Sequence, residues 1–205
     1  MSKSSLALLA VLSLAAASCE DTSTNTSFVA AVRVNPCEPA ALIVDADATA
    51  EQEAGARAAA ELWNRGAGAR LTVARASPGQ PADAATNVVS SGVRDAGADI
   101  GSHDGAAASP SVAPALPVHF RQAAAPSHGY FDPATGQVLI NLSLRSHELA
   151  VVLAHEVGHA FGLVHVSGRP SVMTSGNLDV EPTLGDVAEL EKLWGACAPA
   201  LPPSP

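Results

Sequence analysis

The chain has 205 residues, a length that suits one globular domain with short appendages. Its formal net charge of −9, spread over scattered acids, leaves no basic groove for a phosphate backbone and argues against a nucleic-acid partner. Aromatic residues make up only 3%, so the core must be built from Leu, Val, Ile and Ala around anchors such as Trp63, Phe161 and Trp194.

Residues 1–18 combine Lys3, an apolar run from Leu6 to Ala17 and small residues before Cys19, which is the form of an export signal. An ordinary peptidase would cut after Ala17. The AASC tetrad favours the other outcome, a lipobox-like site at which Cys19 is lipidated and anchors the exported protein to a membrane. Residues 19–36 then form a polar tether, 37–198 the globular domain and 199–205 a tail. Cys37 and Cys197 stand at the two ends of the globular stretch and would pair in an oxidising compartment. A competing expectation makes Cys37 an inhibitory thiolate on a metal.

Residues 40–46, AALIVDA, read as a buried strand, followed by a helix over 50–64 with apolar groups at Ala54, Ala58, Leu62 and Trp63. The GAG at 66–68 ends it. Residues 71–76 and 87–93 read as second and third strands, so the order points to an α/β fold with a mostly parallel, twisted sheet. Residues 97–117 turn to Gly, Ala, Ser and Pro and predict a long loop. Residues 129–144 have hairpin form, with DPATG as turn and Val138, Ile140 and Leu142 on one side, which predicts an antiparallel edge strand.

Ser146 would cap a helix running to about Phe161, with Leu149, Val152, Leu153 and Val157 on its apolar side and His147 an ordinary surface residue at its start. Within it, HEVGHAFGLVH at 155–165 places His155 and His159 four apart, side by side on one face, as the first two ligands of a tetrahedral zinc require. Glu156 points about 100° away, badly placed as a ligand and well placed to reach a water on the metal. Gly162 stops the helix with a positive φ and lets His165 return as third ligand. Three imidazoles leave one position open, the mark of a catalytic zinc.

HEVGHAFGLVH followed by SVMTSG resembles the metzincin metalloendopeptidases, with Met173 in the place of their Met-turn methionine. The helix ending in ELWN, the DPATGQVLINL strand and a C-terminal helix in PTLGDVAELEKLWG resemble the matrixin-type branch. Thr183, with Asp186 three residues on, independently supports that last helix. Val166 replaces the Ser that typically follows the third histidine, and Ser175 stands where astacins and serralysins carry a tyrosine ligand.

The resemblance implies a zinc-dependent metalloendopeptidase, a monomer acting on protein or peptide substrates, with Glu156 as general base and the substrate added to the edge strand around 129–142. The alternative is a non-catalytic zinc-binding lipoprotein with the same fold; a third reading is hydrolysis of a non-peptide amide. His103, Asp104, His119 and His128 loosely resemble the matrixin structural site and offer a second zinc or calcium, against a default of solvated loop histidines.

Overall fold

The structure, a computed structural model, describes residues 33–78, 113–124 and 127–197. The leader, Cys19, the stretch at 87–93, His103 and Asp104 lie outside the described residues. Strand β1 (Pro39–Val44) buries Ala40, Leu42 and Val44 and leaves the residues between them partly open, the period of a strand with one face on a core.

Helix α1 (Ala50–Ala67) opens with a reciprocal cap. Thr49 Oγ accepts the Gln52 amide at 3.2 Å, and Gln52 Oε1 accepts the Thr49 amide at 2.8 Å. It closes on Gly68 at φ 64°. Its packed face runs through Gly55, Ala56, Ala59, Leu62 and Trp63, so the expected stripe is right at Leu62 and Trp63 and wrong at exposed Ala54 and half-buried Ala58. The reason is a close helix approach: a Cβ on Gly55 would lie 2.1 Å from Leu149 Cδ2, so this face is chosen by the missing side chain.

The remaining elements are β2 (Arg70–Arg75), β3 (Ala115–Arg121), β4 (Gly129–Asp132), β5 (Gln137–Asn141), α2 (Ser146–Ala160) and α3 (Leu184–Trp194). The sheet order is β2-β1-β3-β5-β4, parallel throughout except for β4, which pairs antiparallel with β5 at the edge. The mixed α/β fold is therefore as expected, but β3 begins inside the stretch read as loop. Leu116 through Phe120 are all buried, so both faces of β3 are covered and the strand shows no alternation to read.

Leu42, Val44, Leu116, Val118, Val138 and Ile140, each at most 1% exposed, form the floor on which α1 and α2 pack. Trp63 and Phe161 meet edge to face with ring centres 5.5 Å apart, and Trp63 Nε1 donates to the Ala154 carbonyl at 2.9 Å. In the hairpin, Asp132 Oδ1 accepts the Ala134 amide at 2.9 Å and Gly136 turns at φ 73°.

Two corrections concern caps and cysteines. Arg145, not Ser146, is the N-cap of α2 and makes no side-chain cap bond; Ser146 sits at φ 43° with its hydroxyl 3.5 Å from Glu51 Oε1, facing α1 instead of its own helix. Cys37 and Cys197 form a disulfide with Cα atoms 4.9 Å apart, which overturns the reading of Cys37 as a thiolate on the metal. The folded unit also reaches ahead of Cys37: Val34 is 2% exposed and its amide donates to the Ala160 carbonyl at 2.9 Å.

Candidate metal centre

Helix α2 is almost wholly buried from Leu149 onward, which fixes its rotation against the sheet and α1. His155 and His159 consequently share one face. The helix then ends in a Schellman motif: the Gly162 amide donates to the His159 carbonyl and the Leu163 amide to the Gly158 carbonyl, both at 2.9 Å, with Gly162 at φ 94°. A residue with a Cβ would be strained there. The reversal carries His165 back over the helix face.

The three Nε2 atoms of His155, His159 and His165 lie 3.2 Å from one another. Zinc–nitrogen bonds of about 2.0–2.1 Å in a tetrahedron require nitrogens about 3.3 Å apart, so these residues fit a zinc ion. The donor atoms are also aimed. His155 Nδ1 donates to the Val172 carbonyl at 2.7 Å and His159 Nδ1 to the Leu163 carbonyl at 3.0 Å, which leaves each Nε2 lone pair facing the common point. Burial lowers the His155 pKa, helped by His165 and opposed by the Val172 bond, and so favours the neutral imidazole that binds metal. Among the described residues this triad is the one group of three or more His, Cys, Asp or Glu side chains that could hold a metal ion.

Glu156 is 6% exposed. Burial pushes its carboxyl up to about 8, against a backbone hydrogen bond from Phe131 that pulls it down. A neighbouring dication would favour the ionised form.

Met173, 1% exposed, lies under the helix against Gly158; a Cβ on that glycine would stand 2.5 Å from Met173 Sδ and 3.3 Å from Trp63. Gly158→Ala is therefore expected to cost about 1–3 kcal/mol by overpacking, read in chemical denaturation, and to weaken zinc retention against a chelator. The Val166 amide donates to the Met173 carbonyl at 3.0 Å and ties the third-ligand loop to this turn.

Asp186 was legible in the sequence only as a cap residue, yet it organises the turn. It is 1% exposed. Its carboxylate accepts the Val172 amide at 3.0 Å, the Thr183 amide and hydroxyl at 2.9 Å each, Arg169 at 3.2 Å, and the Ser171 hydroxyl. Because the Val172 carbonyl receives His155, one buried carboxylate sets the backbone unit that orients a ligand. Burial raises the Asp186 pKa, but the bonds from Ser171, Thr183 and Val172 outweigh it and hold the carboxyl below its usual value. A depressed folded pKa contributes stability above the ordinary carboxylate range and loses it as pH falls through the folded value. Asp186→Asn should thus lower the unfolding midpoint at pH 7 and flatten its fall between pH 5 and 2.

Of the other candidates, His119 is not a solvated loop residue. It lies in β3, 8% exposed, with Nδ1 2.8 Å from Asp45 Oδ1, while Arg121 binds Asp45 Oδ2 at 2.8 Å. Asp45 is held low: burial raises it, and the bonds from His119 and Phe120 more than compensate. His128 stands half-buried at the entry to β4. His147 is half exposed, as a surface residue should be, with Nε2 3.2 Å from the Asp179 carbonyl.

This layout is that of the metzincin-type zinc metallopeptidases. A sequence model of the matrixin peptidase family matches residues 48–195, and the chain belongs to that family. Among solved structures, archaemetzincin from Methanopyrus kandleri is similar at 14% identity and a TM-score of 0.47, over 78% of this chain and 97% of that one. No curated protein matches the chain.

Proposed function

We propose that the protein is a zinc-dependent metalloendopeptidase that hydrolyses peptide bonds in extended protein or peptide segments. The observation that carries this reading is the triangle of ligand nitrogens with a buried glutamate one residue along the same helix. When bound, zinc supplies an acidified water and a charge that polarises the scissile carbonyl. His155, His159 and His165 would hold the ion. Glu156 accepts the water's proton at a carboxylate oxygen and passes it to the leaving nitrogen.

The substrate is placed by β4. In the register of β4 with β5, the Asn141 amide donates to the His128 carbonyl at 2.9 Å, so Tyr130 and Asp132 also bond inward while Gly129 and Phe131 turn their backbone groups to the open edge. An added strand would take its main-chain bonds there. The disulfide supports an exported protein in an oxidising compartment, and lipidation at Cys19 is part of the same proposal.

The test pairs zinc content with cleavage of a mixed peptide library by the exported chain. One zinc per chain and a defined set of cut sites is the expected result. Zinc without cleavage of any extended substrate would overturn the endopeptidase reading in favour of a non-catalytic binding protein.

A further inference from the structure

We propose that Gly129, on the open edge of β4, is a positioning residue for the Glu156 carboxylate, a role that rests on the endopeptidase reading above. Gly129 faces α2, because it pairs with Ile140, whose side chain is 1% exposed on the helix-covered face. A Cβ built there would stand 2.9 Å from Glu156 Oε1, 3.1 Å from Glu156 Cγ and 2.9 Å from Val152 Cγ1. Real Cβ atoms do not approach that closely.

The glycine is not required by its backbone. Gly68, Gly136, Gly162, Gly168, Gly176 and Gly195 have positive φ, and Gly129 is not among them. Alanine could adopt the same conformation, so what the position demands is space. The space is filled by the carboxylate that the reaction uses. Gly55, Gly158 and Gly185 also admit close neighbours, but theirs are Leu149, Met173 with Trp63, and Arg169, none of which handles a proton in the proposed chemistry.

The strand thus provides a gap at Gly129, and Glu156 rests against the strand along which substrate would be laid. A methyl group at 129 would turn the carboxylate away from the reacting water while leaving the three imidazoles, which hang from Val172, Leu163 and the Schellman turn, where they are.

The experiment uses the full exported chain and a peptide it cuts. Gly129→Ala should keep one zinc and a cooperative unfolding transition, keep KM within about twofold, and lower kcat by about 10- to 100-fold, the scale of a misplacement near 1 Å. Gly129→Ala with Val152→Ala frees the methyl from the helix wall but not from Glu156, so kcat should stay low. Recovery of kcat in the double variant would trace the loss to strand–helix packing and overturn the proposal. So would an unchanged kcat, a rise in KM alone or loss of zinc in Gly129→Ala. A parent that holds zinc and cuts nothing defeats the peptidase reading itself, which separates that failure from failure at Gly129.

Discussion

Glu156→Gln is expected to keep one zinc per chain and to lower kcat by about 10³-fold or more. General acid–base groups typically contribute 10²–10⁴-fold, and here one carboxylate is asked both to take a proton and to return it. The zinc should stay because two of its three ligands are oriented by backbone carbonyls and not by Glu156: Val172 for His155 and Leu163 for His159. The amide is nearly isosteric with the carboxylate, so neither packing nor helix position need change. Measurement of metal content beside single-turnover cleavage separates the two effects. Loss of zinc with activity would mean that Glu156 supports the ion rather than the reaction, and retained activity would remove it from the chemistry.

Removing the disulfide, by Cys37→Ser with Cys197→Ser, is expected to lower stability by about 5 kcal/mol in the chain-entropy model, with 2–5 kcal/mol the usual range for native bridges. The crosslink closes a separation of 160 residues, so nearly the whole domain gains freedom when it is cut. The effect should reach the metal. Of α3 only Asp186 and Leu190 are buried, and the helix is otherwise held by its cap, by Trp194 Nε1 on the Phe161 carbonyl at 2.8 Å and by the bridge at its end. Since Asp186 sets Val172, and Val172 sets His155, a loosened α3 should release zinc faster to a chelator. Denaturant midpoints of oxidised and variant protein give the first part and chelation rates the second. Equal midpoints would show that the termini are held without the bridge.

The clustering of His155, His159 and His165 was legible in the sequence because all three lie within eleven positions and obey local rules: an i, i+4 pair, a glycine stop and a return. The antiparallel edge and the α3 capping box were legible for the same reason. What escaped reading depends on distant partners. Gly55 selects the buried face of α1 only because Leu149 lies opposite, 94 residues on. Strand β3 has no hydrophobic period because both of its sides are covered. Asp186 looks like a cap until the Met173 turn is folded onto it. His119 looks like a loop histidine until β1 brings Asp45 alongside.

The cap missing from α2 has its own consequence. α1 and α3 begin with reciprocal caps, whereas α2 has Arg145 as N-cap with no side-chain cap bond, and its first three residues, Ser146, His147 and Glu148, are exposed. Its far end is pinned by the Schellman bonds, Val34 and Trp194. Amide hydrogen exchange should therefore run quickly at residues 146–149 and fade to almost nothing by His155, about 14 Å further along the axis. The helix behaves as a peg fastened at the end that carries the three histidines, and changes of loop length or sequence ahead of Ser146 are absorbed by fraying before they can disturb that triangle.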